Sequence, residues 1–284
     1  MALTGIKLAP HFVRFTLAPV KRPVKRVLTG ERAMELSLSG RTVLITGASS
    51  GFGAHFARLF VTEGARVVIG ARRVDKLAAL AAELGDSALA VAMDVTDEAS
   101  IIAAYDAAEA KFGTVDTVIA NAGIAKAGRS TELSASDIAA VVETNFTGLY
   151  LTAREGAKRM IAAGFRESER GRIVLIGSIT AELTGNGETA YAAIKAGVAH
   201  LGRQFAREWV RQGINVNTIQ PGYVDTEIQG DWFETAAGQT HLNSFHRRRL
   251  TPITALDAPV LFFASDASRY VTGATLTVDD GQVL

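Results

Sequence analysis

The chain has 284 residues, 48% hydrophobic and 21% charged, with no cysteine. That length and balance fit one globular α/β domain with a substantial core, and the missing cysteines exclude disulfides, zinc–thiolate sites and thiol nucleophiles. The net charge of +1 splits into +6 over residues 1–33, where seven Lys and Arg face Glu31 alone, and −5 over residues 34–284; a mildly acidic body argues against nucleic-acid binding.

Residues 1–37 read as a basic N-terminal extension. Phe12, Phe15 and Leu17 mix there with Arg14, Lys21, Arg22, Lys25 and Arg26, and Pro10, Pro19 and Pro23 interrupt the stretch. It lacks the continuous apolar core of a secretory signal. The open readings are a flexible arm, a segment lying on a membrane surface and an acid-poor transit peptide. No apolar run reaches the roughly 18 residues of a transmembrane helix, so the expectation is a cytoplasmic protein, with peripheral membrane association or organelle targeting through residues 1–33 as the alternatives.

A single domain is expected over 38–284. Strand-like runs recur at 42–46, 66–70, 88–92, 117–120, 172–176, 214–219 and 275–278, most of them continuously apolar, as strands covered on both faces are. Helical patterns fill 51–63, 74–84, 97–112, 135–163, 190–211 and 256–265. The alternation predicts βαβ units in a Rossmann-like, doubly wound α/β fold, a seven-stranded parallel sheet with helices on both faces. The rhythm breaks only at 226–255, a long segment bearing Trp232, Phe233 and Phe245.

Between the first strand and first helix lies TGASSGFG, with Gly47, Gly51 and Gly53 spaced for a tight turn and Ser49, Ser50 and Phe52 among them. Glycines let a backbone approach a pyrophosphate, and the N-terminus of the first helix offers free N–H groups. The second strand ends in GARR. An acid there would bind the 2′-hydroxyl of NAD; Arg72 and Arg73 stand instead, with Arg72 the better candidate, and a guanidinium can hold a 2′-phosphate bidentately. NADP(H) is therefore the expected cofactor and NAD the alternative. No metal site is expected.

Further on, Tyr191 and Lys195 lie one helical turn apart in an alanine-rich helix, so they share a face. An unperturbed phenol has a pKa near ~10, and a neighbouring ammonium would lower it. Carbonyl reduction needs such a proton donor and hydrogen bonds that strengthen as charge develops on oxygen.

TGASSGFG, MDVTD at 93–97, NAG at 121–123, TNFTG at 144–148, Ser178, YAAIK at 191–195 and PGYVDTE at 221–227 occur in order. The set resembles the short-chain dehydrogenase/reductase family in its simple single-domain form. The resemblance implies that Tyr191 is the acid/base and that Lys195 also holds the nicotinamide ribose. It further implies that Ser178 bonds the substrate oxygen and that Asn145 holds a water linking the lysine to solvent. Cofactor contacts would come from Asp94 and Val95 at the adenine, Asn121, Ala122 and Gly123 at the fourth strand, and Pro221, Gly222, Val224 and Thr226 after the sixth. It also implies a homotetramer joined through helices 135–163 and 190–211.

The reaction expected is interconversion of a secondary alcohol and a ketone, with a thioester-linked 3-oxoacyl group as the alternative substrate and a catalytically silent nucleotide-binding module as the reading from another class. Leu183, Thr184, Glu188, Tyr223, Trp232, Phe233 and Phe245 are the pocket candidates, suggesting a bulky apolar substrate. Two alternatives stay open: Trp232 and Phe233 could serve packing alone, and Glu188 could line the pocket or cap the helix. His246 to Arg249 form a basic run that could greet an acyl carrier. Phe52 and Asp280 depart from the family pattern, where a smaller aliphatic residue and a glycine are more usual.

Overall fold

The structure is a computed structural model describing residues 36–185 and 187–284, the backbone alone at 227–230. The N-terminal extension, apart from its last two residues, lies outside the described residues. The strands are β1 (Thr42–Thr46), β2 (Arg66–Ala71), β3 (Ala88–Ala92), β4 (Thr117–Ala120), β5 (Gly171–Ile176), β6 (Ile214–Pro221) and β7 (Thr275–Val278). Helices are α1 (Gly51–Thr62), α2 (Val74–Leu84), α3 (Glu98–Phe112), α4 (Ala135–Val142), α5 (Leu149–Ala162), α6 (Phe165–Ser168), α7 (Thr189–Trp209), α8 (Ala236–Ser244) and α9 (Asp257–Ala264).

The seven strands form one parallel sheet in the order β3-β2-β1-β4-β5-β6-β7. The order reverses direction between β1 and β4, and ligands of open α/β sheets bind beyond the strand ends at such a switch. Side chains alternate across each strand, so TVLIT feeds two cores. Val43 and Ile45 meet Phe56 and Phe60 of α1, Leu77 of α2 and Val260 of α9. Leu44 turns the other way, into the layer of Tyr105 of α3, Met160 of α5 and Phe205 of α7. That double coverage is why the central strands are apolar at nearly every position, while edge strand β7 is only partly covered.

One expected element differs in detail. The helix read as continuous over 135–163 is interrupted by a π-helical turn, Glu143–Gly148, joining α4 to α5. An extra residue in one turn rotates the helix beyond it, and such bulges recur at functional sites. The break at 226–255 holds a 3-10 segment (Glu227–Glu234), α8, and a 3-10 turn (Ile253–Leu256).

At the opposite sheet end, Arg41 and Arg172 are 2% and 1% exposed. Arg41 donates to Asp116 and Thr117, both at 3.2 Å, and to the Arg170 carbonyl at 2.9 Å. Arg172 donates to the carbonyls of Ser265 (3.1 Å) and Glu169 (2.8 Å). This network ties the starts of β1, β4 and β5 to the segment after α9.

Candidate active site

The site is built at the C-terminal strand ends, starting with a cradle after β1. Gly47 adopts φ +68°, and a Cβ there would come within 2.9 Å of the Ala122 backbone. A Cβ on Gly53 would lie 2.6 Å from the Gly47 carbonyl oxygen. No larger side chain fits either position, so the turn keeps the start of α1 open to an anionic group. Thr46 Oγ1 accepts from the N–H groups of Asn121 and Ala122, both at 3.0 Å, and Asn121 Nδ2 donates to the Thr46 carbonyl at 2.9 Å. Asn121 thereby fastens β4 to β1 beside the cradle. Gly123 is held close to Asn145, whose Oδ1 a Cβ would meet at 3.0 Å.

Of the two arginines after β2, Arg73 is the one that reaches the cradle. It donates from Nε to Ser49 Oγ at 3.1 Å and from Nη2 to Ser50 Oγ at 2.5 Å. Both serine oxygens accept, so their own protons are free to point at a phosphate. Arg72 is exposed and near enough to Asp94 for its charge to help hold that carboxyl low, after the larger effect of the Thr96 N–H. Asp94 Oδ1 accepts from that N–H at 3.0 Å and from Thr96 Oγ1 at 2.8 Å, so its carboxylate braces its own turn. Val95 is buried, with its side chain packed at Gly148. Phe52 stacks on Phe56 at 6.1 Å within the packing of α1. A cleft of about 550 Å³ runs from Ser49, Ser50 and Gly51 to Thr226, and the glycine cradle with its serine donors fits a dinucleotide pyrophosphate.

Beyond β5 and along α7, Ser178, Tyr191 and Lys195 converge. Ser178 Oγ accepts from Thr180 N–H at 3.1 Å and Thr180 Oγ1 at 2.9 Å, leaving its proton to donate. Lys195 is 4% exposed, and its Nζ donates to the Ile176 carbonyl at 2.8 Å. The same Nζ lies 5.5 Å from the centre of the Tyr191 ring. The expected lowering of the phenol by the ammonium is not what this geometry produces. Burial pushes Tyr191 up to about 12, with a hydrogen bond from Ser178 pulling the other way and the Glu188 charge adding to the rise. Burial also brings Lys195 down to about 8. Desolvation is the largest cause of both shifts. The phenol is thus held as a proton donor at neutral pH.

Asn145 sits in the π turn and is fully buried. Its Oδ1 accepts from Ile124 N–H at 2.8 Å and its Nδ2 donates to the Ile124 carbonyl at 2.7 Å. The side-chain amide is therefore engaged in clamping the chain after β4.

On the substrate side the aromatic residues pack mainly on one another. Phe233 and Phe245 are 7% and 5% exposed, while Trp232 is 42% exposed. Tyr223 stacks on Phe245 at 5.7 Å and meets Phe233 edge-on at 5.7 Å. The packing alternative raised for Trp232 and Phe233 fits Phe233, which is buried as Phe245 also is, while Trp232 stays partly exposed. Glu188 occupies the N-cap position of α7 without a side-chain capping bond. Its half-buried carboxyl is raised by burial, and its charge reaches both Tyr191 and Tyr223. Leu183 is half-buried and Thr184 exposed in the same loop.

After β6, Pro221 ends the strand and Gly222 turns under the C-terminal segment, where a Cβ would collide with Gln282 Oε1. Gln282 was not readable from any motif. It accepts from Tyr223 N–H at 2.7 Å and donates to the Tyr223 carbonyl at 3.1 Å, so the chain's end braces the loop that carries Val224 and Thr226. His241 was also missed; it lies edge-on to Tyr223 at 5.2 Å. Both depend on contacts between distant segments, for which the sequence carries no local signal. The basic run is tied down by the same tail: Arg247 and Arg249 pair with Asp280 at 3.1 and 2.7 Å. Asp280 accommodates φ +54°, a conformation aspartate tolerates better than most residues. Among the described residues no group of three or more His, Asp or Glu is placed to hold a metal ion, and no helix is long and apolar enough to cross a membrane.

A family model described as short chain dehydrogenase matches residues 41–237. The chain is 39% identical over 250 residues to cis-4-hydroxycyclohexanecarboxylate dehydrogenase of Sinomonas cyclohexanicum, covering 85% of this chain and 96% of that one. Among solved structures, gluconate 5-dehydrogenase from Burkholderia cenocepacia, in complex with NADP and tartrate, superposes with a TM-score of 0.82 at 33% identity, covering 88% of this chain and 97% of that one. The 3-ketoacyl-(acyl-carrier-protein) reductase from Brucella melitensis, complexed with NADH, gives a TM-score of 0.80 at 31% identity, covering 87% and 100%. The chain belongs to the short-chain dehydrogenase family: it is an oxidoreductase of the class that acts on CH–OH and C=O groups with a nicotinamide cofactor.

Proposed function

We propose that the chain is an NADP(H)-dependent oxidoreductase interconverting a secondary alcohol and a ketone, with Tyr191 as acid/base. The observation that carries this reading is the convergence of Ser178, Tyr191 and Lys195 beside the glycine cradle. The nicotinamide, when bound, supplies or accepts the hydride. In the reductive direction Tyr191 gives its proton to the oxygen as negative charge grows there, and Ser178 donates a hydrogen bond to the same atom. In the oxidative direction Tyr191 takes that proton back. Asn145 keeps the loop after β4 in place through Ile124.

NADP is favoured because Arg72 and Arg73, and no carboxylate, follow β2. The reading extends to an oxidoreductase domain over 38–284, a homotetramer and a cytoplasmic location. The thioester alternative has less support, since Arg247 and Arg249 are engaged by Asp280. Replacing Tyr191 with Phe should abolish turnover of every alcohol and ketone the wild type accepts, while NADPH binding, followed by fluorescence, persists. Retained turnover in that variant refutes the mechanism.

A further inference from the structure

Past the end of the sheet, one side chain holds two walls of the nucleotide cleft at once. The cleft that starts at Ser49, Ser50 and Gly51 is also lined by Asp225, Thr226 and Ile253. These three come from two segments, one leaving β6 and one entering the 3-10 turn at Ile253–Leu256. The segments lie side by side: Thr251 N–H donates to the Tyr223 carbonyl at 3.0 Å, and Val224 and Thr251 form a parallel bridge. Tyr223 lies beyond the last residue pair of β6 and β7, Pro221 with Val278, and beyond the bond from Gly222 N–H to the Val278 carbonyl at 2.9 Å.

Gln282 takes the place of a strand there. A primary amide offers the donor and the acceptor of a peptide group, and this one uses both on a single residue. Its Oε1 accepts from Tyr223 N–H at 2.7 Å, and its Nε2 donates to the Tyr223 carbonyl at 3.1 Å. The same Nε2 donates to Thr251 Oγ1 at 3.2 Å and to the Arg249 carbonyl at 3.4 Å. One half-buried amide thus grips both segments, in each case two residues before a lining residue of the cleft: Tyr223 before Asp225, Thr251 before Ile253. Its own turn is fixed in advance. The buried Asp279 carboxylate accepts from Gly281 N–H at 3.1 Å and from Val283 N–H at 2.9 Å, with Gly281 at φ +81°, a conformation that costs glycine little. Without the amide, Tyr223 N–H would have to turn toward water to be satisfied, and the two walls would move with it.

Resting on the reading of this cleft as the nicotinamide-cofactor site, we propose that Gln282 is a positioning residue for the cofactor. Acting through Tyr223 and Thr251, it fixes the Asp225–Thr226 and Ile253 walls against the glycine cradle and thereby sets cofactor affinity.

The test is a fluorescence titration of the full-length protein with NADPH and, separately, with NADH, which gives the dissociation constant and the fraction of competent sites independently. Gln282→Met, which keeps the length but offers neither donor nor acceptor of comparable strength, should weaken the tighter-bound cofactor at least about tenfold, the scale set by leaving a half-buried backbone group unpaired. The fraction of competent sites should stay that of the wild type. Gln282→Glu keeps the acceptor for Tyr223 N–H but has no donor for the Tyr223 carbonyl, and should weaken binding at least about threefold; it carries the test alone if the methionine variant does not fold. A dissociation constant within twofold of wild type in either folded variant overturns the proposal. So does a loss of competent sites with the constant unchanged, the signature of a residue that serves stability only. A wild type that binds neither cofactor sinks the reading of the cleft and this inference with it, whereas binding that the variants match sinks the inference alone.

Discussion

Lys195 shows how burial and function pull apart at one residue. Its ammonium is nearly removed from water, and the loss of hydration brings its pKa from 10.5 down to about 8. A lysine depressed in the folded state binds fewer protons folded than unfolded between those two values, so its contribution to stability rises with pH across that window. Below about pH 8 the folded protein carries a charged, desolvated amine, a penalty on the order of 3 kcal/mol. Lys195→Met should therefore raise the thermal midpoint of the cofactor-free protein at pH 7 while losing activity. That gain should shrink steadily as the pH is taken from 8 to 10. Calorimetry showing a variant no more stable than wild type at pH 7, or a gain independent of pH, would contradict the assignment. Tyr191 acts in the opposite sense: with its phenol raised to about 12, its stabilising contribution is complete below the unfolded value near ~10 and fades above it.

At the scale of elements, the end of β2 decides which phosphate-bearing cofactor is welcome. β2 runs to Ala71 and α2 begins at Val74, so only Arg72 and Arg73 lie between them. The short connection pins Arg73 on Ser49 and Ser50 and leaves Arg72 at the surface beside Asp94. The stronger candidate by sequence, Arg72, is thus joined by a partner already anchored in the cradle. Arg72→Asp should lower the ratio of kcat/KM for NADP over NAD at least about tenfold, because a carboxylate repels a 2′-phosphate and accepts from a 2′-hydroxyl. An unchanged ratio would remove Arg72 from cofactor selection and leave Arg73 as the discriminating cation. The π turn at Glu143–Gly148 is the other element with a consequence for the site. It carries Asn145 fully into the interior, where the amide satisfies both backbone groups of Ile124. Gly148 permits the tight fit, since a Cβ there would lie 2.7 Å from Val95.

For the whole molecule, the sheet separates chemistry from stability. The C-terminal strand ends hold the site, and the N-terminal ends hold the buried network of Arg41, Asp116 and Arg172. Asp266 also joins, but it is 73% exposed on its side chain, so its arm is weak. Asp116 is the buried counter-ion, and its Oδ2 also accepts from Thr42 N–H at 3.2 Å. Removing one partner of a buried pair leaves the other charge uncompensated. Asp116→Ala should thus cost about 3 kcal/mol and lower the thermal midpoint by roughly 6–12 °C for a domain of this size. The KM for cofactor should change less than twofold, because the network lies at the far end of the strands. A midpoint within about 2 °C of wild type, a shift worth at most about 1 kcal/mol at this size, would show that water already screens the pair.

Sequence alone determined the sheet, the glycine cradle and the spacing of Tyr191 and Lys195. Apolar strands buried on both faces, glycines in a strand–helix turn and residues one helical turn apart are local patterns, and local patterns are written in consecutive residues. Only the tertiary structure decided what burial does to those groups. It set the phenol high and the amine low, buried Phe233 and Phe245, and placed Gln282 under Tyr223. The burial of these groups and the Gln282–Tyr223 contact bring distant segments into one low-dielectric space, and no spacing along the chain encodes that proximity.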